Sequence, residues 1–187
     1  LPNFIQNIAN AGCEVFIIHA RKAFLKGLSP AQNREIPPLN YDLVEEMKVR
    51  WPKLKIILNG GLETLDEVSQ RLSKLDGVML GRAAYKTPWV LSIVDNLIYG
   101  EPEKNKTRKD VVDMMVNYAA TQKSLGVPVK SITRHMLGLF HAEPGAKAWR
   151  KFLAEEARGL DAEPEIIRHA YFAVCEAASL KTQGEAA

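Results

Sequence analysis

The sequence is poor in cysteine and contains no long apolar run. Its two cysteines, Cys13 and Cys175, stand far apart and without the close spacing of a metal site. We interpret both as structural residues, which suits a reducing compartment, and we predict a cytoplasmic protein that holds no metal. Every apolar run is shorter than the roughly 20 residues needed to span a bilayer, so we expect no membrane partner. A net charge of +3 is too small to indicate nucleic acid from composition alone.

The remaining composition is that of a globular chain able to bury a core. Hydrophobic residues make up 47% of the 187 positions and charged residues 25%, and both values are ordinary. The sequence starts with Leu1 instead of methionine and enters a helical pattern at once, so we expect a fragment of a longer protein. A polar stretch rich in chain breakers, 99–106, separates two kinds of pattern. We therefore predict two domains, 1–100 with strands and helices and 101–187 with helices alone.

Two short apolar runs end directly in glycine, at 56–61 (IILNGG) and 77–82 (GVMLGR). Runs this short, bounded by turn residues, predict strands that are buried on both faces of a parallel sheet. Between them, Thr64 and Glu67 have the spacing of a capping box and start a helix. The segment is therefore a βαβ unit whose two glycine-bearing turns lie at the same end of the sheet.

Other segments extend this pattern in both directions. Residues 14–18 form a third apolar run that ends at His19, and 27–38 form a long loop whose adjacent prolines argue against regular structure. The predicted helices are 3–11, 41–50, 64–74, 88–98, 108–124, 130–141, 145–157 and 163–180.

The fold class that we predict is α/β, with the last three strands of a (β/α)8 TIM barrel followed by a small all-α helical bundle. Three consecutive parallel strands are too few for a closed barrel, and the pattern alone leaves an open doubly wound sheet possible. Two glycine turns suited to phosphate on successive strands favour the end of a barrel, where the last loops commonly hold this group.

The glycine turns are the candidate cofactor site. Bare backbone N–H groups can cradle a phosphate, and Arg82 adds a permanent cation with two parallel donors. His19 ends its strand on the same side and could donate to a cofactor, although a structural histidine would look the same. A plain tight turn is likewise the alternative for Asn59, Gly60 and Gly61. The predicted cofactor-binding residues are His19, Asn59, Gly60, Gly61, Gly81 and Arg82.

Two groups of basic residues indicate a polyanionic substrate or, alternatively, only solvated surfaces. The first lies in the loop after the first strand, where Glu35 is the single nearby acid, and comprises Arg21, Lys22, Lys26 and Arg34. The second lies in the helical half around Glu143, and comprises Lys123, Lys130, Arg134, Lys147, Arg150 and Lys151. Six apolar residues in this part of the chain are predicted to be core and not a platform for stacking bases: Met136, Leu137, Leu139, Phe140, Trp149 and Phe152.

Residues 19–30 (HARKAFLKGLSP) and 33–39 (NREIPPL) resemble the tRNA-dihydrouridine synthase family, specifically its A-type subfamily. Segments 59–61 (NGG) and 81–85 (GRAAY) match later barrel motifs of that family in order and spacing. Segment 133–140 (TRHMLGLF) is similar to its helical domain. The first motif is long and specific, whereas the NGG and GR pieces alone are shared with many flavin barrels.

The resemblance implies an FMN-dependent oxidoreductase that uses NADPH to reduce D-loop uridines of tRNA, of the 20/20a type, to 5,6-dihydrouridine. It implies that His19 contacts FMN and that the segments 59–61 and 81–82 hold the FMN phosphate. It also implies a tRNA partner and a monomeric full-length enzyme. The residues then expected to contact tRNA are Arg21, Lys22, Lys26, Arg34, Lys130, Arg134 and Arg150.

The family's proton-donor cysteine is expected upstream of residue 1, because neither Cys13 nor Cys175 matches its position. We therefore assign no catalytic residue in this chain and expect the chain alone to be inactive. Two other functions stay open on the residues. One is a different FMN barrel oxidoreductase that acts on a small molecule, and the other is a non-catalytic RNA-binding module that uses the basic helices.

Overall fold

A computed structural model describes residues 1–159 and 161–184 of the chain. The chain divides into two compact units, Leu1–Ala83 and a second unit that begins at Ala84. This division lies earlier in the sequence than the polar stretch at 99–106. The assignment of 1–100 and 101–187 to two functional domains stays a prediction.

The first unit is an α/β structure with a parallel sheet in the strand order β1-β2-β3. Its elements are α1 (Pro2–Asn10), β1 (Val15–His19), α2 (Pro30–Asn33), α3 (Tyr41–Arg50), β2 (Lys55–Asn59), α4 (Leu65–Leu72) and β3 (Gly77–Met79). Helix α3 packs against β2 and α4 packs against β3. The predicted βαβ unit is confirmed, and the Thr64 side chain accepts from the Glu67 N–H at 3.3 Å to cap α4 as expected.

The prediction that the strands are buried on both faces was wrong for β3, where Met79 is 46% exposed, and for β1. Phe16 and Ile18 are each only 8% exposed, whereas Val15 and Ile17 are 53% and 59% exposed. Successive side chains of a strand point to opposite faces, so one face of β1 is buried and the other is exposed. The parallel register places His19 beside Asn59 and Asn59 beside Met79, at the carboxyl end of the other, open face.

The prediction of a loop without regular structure at 27–38 was also wrong. Helix α2 forms there because Ser29 and Gln32 make a capping box and Pro30 occupies the first helical position, where a missing N–H costs nothing. Arg21 and Leu39 then form an antiparallel bridge that closes the longer segment 21–39. The loop is therefore a folded structure that starts and ends next to β1.

The second unit is helical in its described part. Its elements are a 3₁₀ helix (Pro88–Ile93), α6 (Val94–Tyr99), α7 (Arg108–Ser124), α8 (Val129–Thr133), α9 (Ala146–Glu156) and α10 (Ile166–Gly184), with the division between the units falling inside α5 (Arg82–Lys86). The predicted helix 88–98 is thus part 3₁₀ and part α. Helix α7 has the predicted bounds, and its cap pairs Thr107 with Asp110.

The predicted helix 130–141 was wrong beyond Thr133, where a series of turns replaces it. The Met136 carbonyl accepts from Leu139 N–H at 3.0 Å and from the buried Trp149 indole N–H at 2.9 Å. That carbonyl would have to bond residue 140 to continue an α-helix. Gly138, which has poor helix propensity, lies inside the same turn.

The core of the second unit lies between these turns and α7, α9 and α10. Trp149 is fully buried, and its ring lies 4.8 Å from that of Phe140, centre to centre. Met136 and Leu139 are buried, and Leu137 and Phe152 pack against the cluster while partly exposed. The prediction that these six side chains form core is therefore confirmed.

Candidate functional site

The turns after the three strands line one cavity of about 250 Å³ in the first unit. The residues that line it are His19, Arg34, Asn59, Gly60, Gly61, Leu62, Glu63, Met79, Gly81, Arg82 and Ala83. All six predicted cofactor-binding residues are among them. The sheet register explains this convergence, because parallel strands bring their carboxyl ends to one edge. Their role as cofactor ligands stays a prediction.

The turn after β2 has a backbone that only glycine adopts easily. Gly60 has φ of 123° and Gly61 has φ of 73°. A Cβ at Gly60 would lie 3.1 Å from His19 Cε1 and Nδ1, so the bare backbone is what allows the imidazole to approach. The Tyr41 hydroxyl donates to the Gly60 carbonyl at 3.0 Å. Burial, followed by the Glu67 charge, raises the pKa of Tyr41 and keeps this donor protonated.

Gly81 differs from the other two glycines. A Cβ added there meets no described heavy atom within 4 Å, and the residue is exposed. Gly81 therefore lines the cavity because it follows β3, and no neighbouring atom among the described residues requires a glycine at this position.

The charge of the cavity is positive around His19. Partial burial of the ring, then the charges of Arg21, Arg82 and Arg34 in that order, lower the pKa of His19. Three guanidinium groups therefore act on the same imidazole. A neutral histidine among fixed cations, beside backbone N–H groups at a glycine turn, is suited to an oxyanion such as a phosphate.

Arg82 forms an ion pair across the cavity edge with Glu35, 3.1 Å from Nη1 to Oε1. The two side chains are 46% and 67% exposed, so the pair contributes little to stability. A bound oxyanion could therefore take the place of Glu35 at Arg82. Glu35 is the partner that the sequence did not assign, since nothing in the local pattern links two residues 47 positions apart.

Arg21 has a structural position in the loop. Its Nη1 donates to the Glu35 carbonyl at 3.1 Å and to the Pro37 carbonyl, and its buried Nε has no hydrogen-bond partner among the described residues. Lys22 and Lys26 are exposed on the same loop. Of the four loop cations expected to contact tRNA, Arg34 is the one that lines the cavity.

The predicted basic residues of the second unit are only partly brought together. Arg134 and Arg150 line a separate cavity of about 840 Å³, while Lys130 is exposed on α8 and is not part of its lining. The sequence did not assign Tyr85 or His135, which line the same cavity. Both residues occur in motifs noted above, but nothing in the local pattern pairs them.

The environment of His19 predicts a response to phosphate. Its pKa lies below the ordinary value of about 6.5, so the ring is neutral at pH 7. A bound phosphate would favour the protonated ring, so we expect inorganic phosphate to raise the pKa of His19 and to bind more tightly as the pH falls through that pKa. NMR titration of the imidazole, assigned with His19→Asn, measures this shift.

Arg82→Gln provides a check on the same titration. It removes one of the charges that lower the pKa of His19, so the pKa should rise without any ligand. A His19 resonance that titrates identically with and without phosphate, in both proteins, would contradict the assignment of an anion site.

Neither a metal site nor a membrane-spanning segment is found in the described part of the chain. No cluster of three or more His, Cys, Asp or Glu residues there could hold a metal ion. No helix among those residues combines the length and apolarity needed to cross a membrane.

Comparison with known proteins gives consistent matches along almost the whole chain. The model of the family described as dihydrouridine synthase (Dus) matches residues 1–172. A Shewanella oneidensis protein named tRNA-dihydrouridine(20/20a) synthase is 45% identical over 174 residues, which are 93% of this chain and 52% of that protein. Proteins of the same name from Escherichia coli K12 and Pasteurella multocida are 45% and 44% identical over 91% of this chain, and 50% and 52% of their own lengths are covered. The chain thus spans about half the length of the curated relatives that it matches.

Proposed function

Because this chain belongs to the dihydrouridine synthase family, we propose that it forms the part of a tRNA-dihydrouridine(20/20a) synthase that holds the phosphate of FMN and contacts tRNA. The observation that carries the proposal is the convergence of His19, the 59–61 turn and Arg82 on one cavity. In this proposal the three strands are the last strands of a (β/α)8 barrel, and the helical unit is the tRNA-binding domain. Relatives named for tRNA support this substrate.

The residues of the cavity fit a phosphate. Gly60 and Gly61 present backbone without side chains, and Arg82 and Arg34 supply permanent cations. Glu63 is the acid on the lining, and Glu35 is already paired with Arg82. When bound, FMN would supply the hydride for the uracil ring after its own reduction by NADPH.

In this proposal, residues of the chain bind and orient the phosphate of FMN. Arg82 would exchange its exposed carboxylate partner for phosphate oxygens, and the N–H groups of the β2 turn would complete the cradle. His19 would donate one ring N–H, and any charge that it gains would be stabilised by the phosphate. Tyr41 holds the turn in place through the Gly60 carbonyl.

The test compares FMN with riboflavin, which lacks the phosphate. Arg82→Gln should weaken FMN binding by about tenfold to a hundredfold, because a hydrogen bond to a charged group contributes about 1.5–3 kcal/mol. Riboflavin binding should not change. Glu35→Gln should tighten FMN binding, since it removes the carboxylate that competes for Arg82. Flavin fluorescence titration of the 187-residue chain and of both variants, with FMN and with riboflavin, measures these affinities.

Arg50→Gln is the matched control, because Arg50 is an exposed arginine of the same unit outside the cavity lining. It should leave both affinities unchanged. Equal affinity of the unsubstituted chain for FMN and riboflavin would refute the proposed phosphate site.

A further inference from the structure

The 840 Å³ cavity of the second unit, which we call the cationic cavity, carries more positive than negative charge. Lys86, Arg134 and Arg150 line it, and Glu143 is its carboxylate. Glu143 is bound by Arg108, with 2.8 Å from Nη2 to Oε1. The three lining cations therefore face a cavity whose acid is already neutralised.

Tyr85, His135 and Arg134 form a chain of hydrogen bonds along this cavity. Arg134 Nε lies 3.0 Å from His135 Nε2, and the Tyr85 hydroxyl lies 2.8 Å from His135 Nδ1. Arginine can only donate, so Nε2 of the neutral imidazole must accept and Nδ1 must carry the proton. Nδ1–H then donates to the tyrosine oxygen. The Tyr85 hydroxyl keeps its own proton to donate to a ligand.

A second cavity of about 320 Å³ also has His135 on its lining, and we call it the apolar cavity. Met115, Tyr118, Met136 and Leu139 are among its other lining residues. Tyr118 is 51% exposed and lines the cavity, so its ring is accessible to a ligand. Both volumes lie in the range of about 300–1,000 Å³ that small-molecule sites occupy.

We propose that these two cavities bind one nucleotide of single-stranded RNA, with a phosphate in the cationic cavity and an unstacked base in the apolar cavity. The inference rests on the proposed function and specifies how the helical unit would hold tRNA. A phosphate matches Arg134, Arg150 and the free Tyr85 hydroxyl proton, and a base offers the flat apolar face that Tyr118 can stack on. His135 is the positioning residue, because it orients Arg134 on one ring nitrogen and Tyr85 on the other.

The test measures binding of the 187-residue chain to a single-stranded RNA oligonucleotide and to a duplex of equal length. Arg134→Gln and Arg150→Gln should each weaken both affinities and lower the salt dependence of binding by about one phosphate contact. Tyr85→Phe, which removes only the hydroxyl, should weaken both about threefold to tenfold. Tyr118→Ala should weaken single-strand binding about tenfold and leave duplex binding unchanged.

Lys151→Gln is the matched control, because Lys151 follows Arg150 on α9 with the same charge but does not line the cavity. It should change either affinity less than twofold. Equal losses of RNA affinity for Arg150→Gln and Lys151→Gln would overturn the proposal, because they would indicate only a nonspecific electrostatic attraction between the helical unit and RNA. Equal losses of affinity for both RNAs in Tyr118→Ala would overturn the placement of a base in the apolar cavity. An unsubstituted chain that binds neither these RNAs nor tRNA would overturn the proposed tRNA contact as well, whereas flavin binding would still report separately on the first unit.

Discussion

Gly61→Ala is expected to destabilise the first unit by about 1–3 kcal/mol and to remove its preference for FMN over riboflavin. Gly61 has φ of 73°, which costs any residue with a Cβ. The new Cβ would also overlap Leu39 Cδ1 and lie 3.1 Å from the Tyr41 hydroxyl. The Leu39 and Tyr41 side chains can move away from the new Cβ, but the strain of the positive φ can be relieved only by moving the backbone, including the N–H groups of the proposed phosphate site. Thermal unfolding followed by circular dichroism, together with the two flavin titrations, measures the effect.

Gly12→Ala is the control for this substitution. Gly12 also has a left-handed φ, of 98°, but it lies outside the cavity lining, and its new Cβ would meet no described heavy atom within 4 Å. We expect a loss of stability from the backbone conformation and an unchanged preference for FMN over riboflavin. An equal loss of that preference in the two variants would show that destabilisation of the first unit, and not the turn after β2, causes it.

Trp149→Ala is expected to lower the free energy of unfolding by about 3–5 kcal/mol, which is the usual range when a buried tryptophan is replaced by alanine. Trp149 is fully buried, stacks obliquely on Phe140 and donates its indole N–H to the Met136 carbonyl. The substitution therefore opens a cavity and also releases the turns that follow α8. Because those turns carry Arg134 and His135, RNA binding should fall together with the thermal stability.

Two further variants separate these causes. Trp149→Phe keeps an aromatic ring and loses only the hydrogen bond and some volume, so its loss of stability should be clearly smaller. Trp51→Ala removes a half-buried tryptophan of the first unit, whose indole bonds Gln6, and should leave RNA binding unchanged. An equal loss of RNA binding in Trp51→Ala and Trp149→Ala would contradict the assignment of that binding to the second unit.

Features that depend on neighbouring residues could be predicted from the sequence. The capping boxes at Thr64 and Thr107 and the glycine turn after β2 each use residues within a few positions of one another. The meeting of the turns at one cavity also followed, because parallel strands with short connections bring their ends to one edge. The membership of the family was predicted correctly from residues 19–39 and the later motifs.

Features that depend on distant residues could not be predicted. The bond from Tyr41 to the Gly60 carbonyl and the pair of Arg82 with Glu35 join positions 19 and 47 residues apart. The bond from the Trp149 indole N–H to the Met136 carbonyl, inside the turns that follow α8, joins positions 13 residues apart. The hydrophobic periodicity of a segment predicts how that segment would fold by itself. It contains no information about hydrogen-bond partners that are distant in the sequence.

The alternation along β1 determines which of its positions can vary. Phe16 and Ile18 are buried, so polar substitutions there should be eliminated when variants of this chain are selected for folding. Val15 and Ile17 meet solvent in this chain, so threonine, serine or lysine should be accepted at both. A scan of every substitution in β1 should therefore alternate between tolerant and intolerant positions. Intolerance at Val15 and Ile17 would reveal that another surface covers this face of the sheet during the selection.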